Sequence, residues 1–348
     1  NLTKLFSLVS FKNFIKLFFF LIFIGLICYL TIDFLQEKNN LMDIEVYNPK
    51  STLKVKETIL KKSKYPFVDV HNHQFDMPIK DLSKLVNEMD GLNMAFMINL
   101  SGFRGLYFRK SMENIKQNAP TRFGLFINID FEEIDAPDFI KKNIDLINET
   151  YSMGAIGLKI YKSFGLTDKD KNGDRIKIND PRLNPIWKEL GKLNLPVLIH
   201  SGEPSSFWEP KDEFNERWLE LRQKPNRYRD PLKNPSFEEI LSEQHEMFRK
   251  NKNTIFINAH LGWMGNDLDR LSEHLDEHPN VYTEIGAVLA EIGRQPIRAK
   301  KFFTDYQDRI LFGKDSYKVS EYYTYFRVLE TDDEYFDYYR KRHAHWKL

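Results

Sequence analysis

Five residues in this chain have the types and settings to hold a metal ion or to work beside one. His71 and His73 share the run FVDVHNH, His200 ends LPVLIH, His260 ends TIFINAH, and Asp315 follows the last apolar run in LFGKDS. A strand period of two puts Asp69, His71 and His73 on one side, with the two imidazoles about 7 Å apart along the backbone and able to converge on one ion. Singly these signals are weak. His343 and His345 in KRHAHW share that spacing but follow charged residues, and read as a solvated pair. A lone strand-end histidine such as His200 or His260 is more often a satisfied core residue, and Asp315 by itself could be a helix cap. Their joint placement is what points to chemistry. Imidazoles with a carboxylate suit Zn, and nitrogen and oxygen ligands also tolerate Fe or Mn. The single cysteine, Cys28, lies in an apolar run, which leaves neither a thiolate site nor a disulfide framework.

Such residues need strands to position them. Beyond Lys64, short apolar runs begin at Phe67, Met94, Phe123, Ala155, Leu195, Thr254, Val281 and Arg309. Amphipathic stretches of about 10 to 15 residues separate them, the pattern of repeated βα units and a parallel sheet. Helices are expected over 79–89, 107–118, 137–153, 181–193, 237–250, 267–278 and 295–306. His71, Lys159, His200, His260, Glu284 and Asp315 all fall at or just past the C-terminal end of a run, the catalytic face of a (β/α)8 TIM barrel. A doubly wound sheet also puts ligands at strand ends, but FVDVHNHQF has no glycine-rich phosphate loop.

Taken in order, NPKSTLKV, FVDVHNH, GLKIYKSFG, VLIHSGEP, FINAHLG and ILFGKDS make the chain from about Tyr47 onward resemble the amidohydrolase superfamily. The likeness is to its amidohydrolase-2 branch, typified by aminocarboxymuconate-semialdehyde decarboxylase and related metal-dependent hydrolases. The resemblance implies one divalent metal held by His71, His73, His200 and Asp315, with His260 as an acid or base beside it. Lys159 matches the place where some amidohydrolases carry a carboxylated lysine bridging two metals. The mononuclear site of this branch favours instead a pairing of Lys159 with Asp69, Glu284 or a substrate carboxylate. Family members usually continue past the eighth strand into a helix with an Asn-Ala pair. No such pair follows Asp315 in this sequence, so the barrel is expected to lack its last helix.

Other residues carry weaker signals. Arg294 in EIGRQP could bind a substrate anion or form a surface ion pair. Trp208 and Trp263 could wall a pocket or simply pack, and the insertion 205–234 is long for a βα loop, as a lid would be. His274 and His278 stand i, i+4 in LDRLSEHLDEHP, but their charged neighbours read as a solvated helix face.

Residues 14–32, FIKLFFFLIFIGLICYLTI, carry only Lys16 as a charge and approach the roughly 20 apolar residues that a spanning helix needs. The expected organisation is a basic flank at 1–13, a membrane anchor at 14–32, a linker at 33–64 that packs on the domain from about Ile44, and a barrel at 65–348. Lys4 and Lys12 precede the span and Lys16 stands near its start, without an acid among them, which favours an inner N-terminus and an extracytoplasmic barrel. With 51 basic against 50 acidic residues the net charge is +1, no basic excess of the kind that binds nucleic acid. The expected partners are a small-molecule substrate and the membrane, with a homo-oligomer left open.

A metal that acidifies water and polarises a carbonyl makes hydrolysis of a C–N or C–O bond the first expectation, with Asp315 and His260 handling protons. Non-oxidative decarboxylation on the same residues is the second. An inactive, membrane-anchored binding protein is the third, against which the completeness of the His-His-His-Asp set argues.

Overall fold

The structure is a computed structural model that describes residues 11–39, 42–340 and 347–348. Most of the expected basic flank, Lys4 included, and the His343/His345 pair lie outside the described residues. The chain divides into two units between Lys50 and Ser51.

In the first unit, helix α1 (Phe11–Asn39) extends past the expected 14–32. Its apolar stretch Asn13–Leu35 has 23 residues, none of them buried. At about 1.5 Å per residue that stretch spans ~35 Å, enough for a hydrocarbon layer of about 30 Å. A signal sequence has the same composition, so length and apolarity fit either role.

The second unit is an eight-stranded parallel barrel. Strands β1 (Phe67–Asn72), β2 (Met94–Asn99), β3 (Phe123–Asn128), β4 (Gly157–Ile160), β5 (Val197–Ile199), β6 (Phe256–Asn258), β7 (Val281–Glu284) and β8 (Ile310–Leu311) fall in the expected runs. They lie side by side in chain order, each pair parallel. The ring closes where Val70 N–H donates to Phe312 O at 2.9 Å, Asp315 N–H donates to His71 O at 2.6 Å, and Asn72 bridges Asp315.

Parallel neighbours need crossovers, and helices supply them. These are α2 (Leu82–Leu92), α3 (Gly105–Asn118), α4 (Phe139–Met153), α5 (Asn184–Lys192), α6 (Trp218–Gln223), α7 (Phe237–Lys250), α8 (Leu268–Glu277), α9 (Leu289–Gly293) and α10 (Pro296–Asp305). Local sequence sets their ends. Ser236 accepts from Glu239 N–H at 3.0 Å to start α7, whose first turn holds Glu238 and Glu239 and whose last holds Arg249 and Lys250. Alternation along the strands divides the core. Leu125, Ile127, Val197, Ile199 and Phe256 face the helices, while Phe126, Leu198 and Ile257 plug the barrel interior.

The expectation of a missing last helix is corrected. Helix α11 (Val319–Glu330) follows β8, and Tyr322, Tyr325 and Phe326 on its inner face pack against Phe67 and Phe312. The i, i+3, i+4 spacing of these aromatics carries the helix without an Asn-Ala pair. Within the linker, Thr58 donates to Asp333 and Lys64 N–H to Glu330, so residues from 51 onward belong to the barrel unit.

One buried carboxylate holds the seam. Asp69 accepts from Tyr322 Oη at 2.6 Å, Asn72 Nδ2 at 2.8 Å, and the N–H groups of His71 and Lys314, each at 3.1 Å. Burial raises Asp69 to about 6, against the downward pull of Tyr322 and Asn72. At pH 8, where Asp69 is ionised, Tyr322→Phe should cost about 2 kcal/mol by removing a hydrogen bond to a buried charge. Urea unfolding checks this, and an unchanged midpoint would show that the seam does not depend on this bond.

Candidate metal centre

β1 delivers His71 and His73 to the C-terminal mouth of the barrel. β8 delivers Asp315, whose φ of +76° is a left-handed conformation that Asp tolerates better than most residues. The Asp315 Oδ1 atom lies 3.6 Å from His71 Nε2 and 3.7 Å from His73 Nε2, so these three groups converge. Close approach of β8 requires glycine before them. A Cβ at Gly313 would run into Glu284 Oε2 and lie 2.8 Å from His71 Cβ.

A neutral imidazole has one N–H and one lone pair, and here the N–H ends are tied. His71 Nδ1 donates to Glu284 Oε1 at 2.8 Å, and His73 Nδ1 shares a hydrogen bond with Ser101 Oγ at 2.7 Å. His260 Nδ1 donates to Gly286 O at 2.6 Å. That leaves His260 Nε2 as an acceptor for His200 Nδ1 at 3.3 Å. This network puts the lone pairs of His71 and His200 on Nε2, and that of His73 as well when Ser101 Oγ accepts. The buried Nε2 atoms of His71 and His200 have no hydrogen-bond partner among the described residues, which is the chemistry expected of atoms that bind a metal.

Of the expected site residues, His71, His73 and Asp315 come together directly. His200 joins them through His260 and is not part of the same close cluster. His71, His260 and Glu284 form a second close group that could hold an ion, and both Glu284 oxygens also accept hydrogen bonds. Oε1 accepts from His71 and from His260 N–H at 2.7 Å, and Oε2 from Gly286 N–H at 2.5 Å, so Glu284 orients both histidines. Burial pushes the Glu284 carboxyl up, but His71 and His260 outweigh it and hold the group at about 2. Burial likewise opposes ionisation of Asp315, and His71, His260, His73 and Lys159 bring it well below the usual carboxylate range. Burial lowers His73 to about 3 and also lowers His200 and His260, so all three are neutral at neutral pH.

Lys159 is buried, and its Nζ has no hydrogen-bond partner among the described residues. Burial lowers it to about 8 against the pull of Asp315 and Glu284. Arg294 pairs with Glu216 at 3.0 Å and donates to Ala290 O, away from the cluster. Trp263 covers His260 at 4.7 Å and His200 at 5.7 Å between ring centroids, whereas Trp208 packs on Phe237 and donates to Pro235 O. The insertion is pinned by Arg217, which pairs with Glu291 and Glu220. A cavity of about 650 Å³ opens beside His73, Phe75, Asp315 and Tyr317.

Two roles were missed in the sequence. Glu284 was visible as a strand-end acid but not as the acceptor for His71, and Ser101 carried no signal. The solvated reading of His274 and His278 is corrected, because both are buried against His245. Charged neighbours in sequence point outward while these positions turn toward α7.

The profile of the amidohydrolase family matches residues 68–337. The chain is similar in structure to an uncharacterised TIM-barrel protein from Bordetella bronchiseptica, at 12% identity over 77% of this chain and 92% of that one, with a TM-score of 0.51. Two further solved structures are 2,6-dihydroxybenzoate decarboxylase complexed with 2,6-dihydroxybenzoate (14%, 78% and 94%, TM-score 0.48) and 5-carboxyvanillate decarboxylase from Novosphingobium aromaticivorans complexed with manganese (13%, 81% and 93%, 0.46). At 12% identity the likeness to the Bordetella protein is one of fold. No curated protein sequence matches the chain.

The buried imidazoles set a pH dependence. His73, His200 and His260, together with His245 at about 4 and His274 at about 2, have folded pKa values depressed by burial. Unfolded histidines bind protons below about 6.5, so the unfolded state takes up more protons and stability falls as pH drops below that value. Asp69, raised to about 6, acts in the opposite direction but is one group against five. The urea midpoint of the metal-free protein should therefore fall steadily from pH 7 to pH 5. A flat or rising midpoint would contradict neutral burial of these rings.

Proposed function

Because the chain belongs to the amidohydrolase family, we propose that it is a metal-dependent hydrolase of a small molecule. It attacks a C–N or C–O bond, as in an amide, lactone or ester, with one divalent ion held by His71, His73, His200 and Asp315. The observation that carries this reading is the set of tied Nδ1–H groups, which leaves the Nε2 lone pairs of His71, His73 and His200 as ligands. Neutral nitrogen donors with one carboxylate suit Zn, with Fe or Mn as alternatives. When bound, such an ion supplies Lewis acidity and a water acidic enough to ionise near neutral pH.

The chain's own residues do the rest. Asp315, 35% exposed, accepts the proton of the attacking water. His260 keeps its Nδ1 proton on Gly286 O, and its Nε2, which accepts from His200 Nδ1 at 3.3 Å, is the atom we assign to proton exchange with the substrate. Trp263 shields this edge from bulk water, and Lys159 holds a negative group of the substrate. Arg294 already has a carboxylate partner in Glu216, which leaves the substrate anion to Lys159.

Decarboxylation is the second reading, favoured by the buried Lys159 ammonium, whose natural complement is a carboxylate. His260 would then protonate the carbon left after carbon dioxide departs. Assays on lactones, amides and aromatic carboxylates separate the two, since carbon dioxide release without loss of an amide or ester bond identifies the decarboxylase.

Asp315→Ala and His200→Ala should each lose most of the ion bound at this centre. His260→Asn should keep that ion while kcat falls about 10²- to 10⁴-fold, the usual worth of positioned proton transfer. Metal content reads the two roles apart. Loss of the ion in His260→Asn would make it a positioning residue for His200, and an unchanged kcat would remove it from catalysis.

We read α1 as an anchor that leaves the barrel outside the cytoplasm, supported by its length and by Lys16 at its N-terminal end. Protease given access to the outer membrane face of intact cells should then release the barrel by cutting between residues 40 and 57. Cleavage only after lysis would reverse the orientation, and a barrel already soluble would make α1 a cleaved signal.

A further inference from the structure

Away from the barrel mouth, α7 and α8 meet through three histidines. His245 of α7 stacks on His274 of α8 with ring centroids 4.0 Å apart, and His278, which caps α8, lies 4.5 Å from His274 and 5.3 Å from His245. His274 and His278 are 3% and 1% exposed, and His245 is partly covered. The Nε2 atoms of all three are buried and have no hydrogen-bond partner among the described residues, and neither has Nδ1 of His274.

A contact between two helices has no need of imidazoles. Leucine or valine would bury the same area without stranding four polar nitrogens, each of which loses its hydration in the fold. One of the rings is already set as a ligand would be. His278 Nδ1 donates to His274 O at 2.8 Å, which places the lone pair on Nε2. Burial holds His245 at about 4 and His274 at about 2, so both stay neutral at neutral pH. Phe248 lies under His274 and His278 at 5.8 and 6.0 Å and makes the floor apolar.

Of the guanidinium groups beside the cluster, Arg270 has a carboxylate partner and Arg309 has carbonyl partners. Arg270 is bidentate to Glu238 at 2.9 and 2.6 Å, and Arg309 donates to the carbonyls of Leu275, His278 and Val281. Arg249 stands at the exposed end of α7. With no carboxylate among the three rings, the donor set is all nitrogen, which selects a late first-row transition ion over Mg²⁺ or Ca²⁺.

We propose that His245, His274 and His278 form a second metal site, structural rather than catalytic, for an ion such as Zn²⁺, with solvent completing the coordination from the His245 side. The donor nitrogens of the three rings do not converge as they stand, and two of the rings are stacked at 25°, so loading requires rings to turn about χ2. The ion would staple α7 to α8, the helices that lead into β6 with His260 and into β7 with Glu284.

Co²⁺ is the probe, added to the metal-free full chain and counted by elemental analysis after gel filtration. Wild type should hold two equivalents, His274→Asn one, and Asp315→Ala one. The ion in Asp315→Ala should raise Tm and disappear in Asp315→Ala/His245→Gln. Because that arm lacks the barrel ligand, the staple is read independently of the barrel centre. Equal Co²⁺ content in wild type and in folded His245→Gln or His274→Asn would overturn the proposal, as would Asp315→Ala binding none. His245 is only partly buried, so His245→Gln keeps the test available if His274→Asn does not fold.

Discussion

The site depends on where three imidazole protons are held. A neutral histidine presents its lone pair at the end opposite its N–H, so fixing the N–H fixes the ligand. Glu284 holds that proton for His71, Ser101 for His73, and His260 for His200, and His260 is itself held by Gly286 O. These acceptors come from β7, the end of β2, the turn after β6 and the turn after β7, elements scattered through the sequence. Only closure of the barrel brings them to one rim.

Closure in turn rests on Asp69. Its carboxylate gathers N–H groups from β1 and from the residue before Asp315, and the Tyr322 hydroxyl from α11. The same seam brings Asp315 N–H onto His71 O, so the backbone that closes the barrel also presents the carboxylate to the two histidines of β1. Gly313 is the steric condition for that approach, because any side chain there meets Glu284 and His71. The seam and the candidate site therefore share atoms.

Much of this was legible in the sequence for a physical reason. A buried parallel strand must be apolar until its end, so the runs announce the strands, and the first polar residue past each run announces the mouth. The placement of His71, His73, His200, His260 and Asp315 at the barrel mouth was readable in that way. The acceptors were not. Ser101 is a small residue in a loop, and its role follows from the distance between β1 and β2 rather than from any pattern. The left-handed turn at His260 through Trp263 was also hidden, since only Gly262 among those residues signals it. Helix α11 was missed because a family signature was sought where an aromatic spacing did the packing. His274 and His278 were misread because the charge of a neighbour says little about which way a given helix position faces.

The central claim is that Nε2, and not Nδ1, of each of three histidines binds the ion with Asp315. Anomalous diffraction at the zinc edge from crystals of the zinc-loaded chain tests it most directly. A peak about 2.0–2.2 Å from Nε2 of His71, His73 and His200 and from one Asp315 oxygen is the result this account requires. A peak at that rim bonded through Nδ1, or one that bonds Glu284 and leaves His200 or Asp315 out, would contradict it.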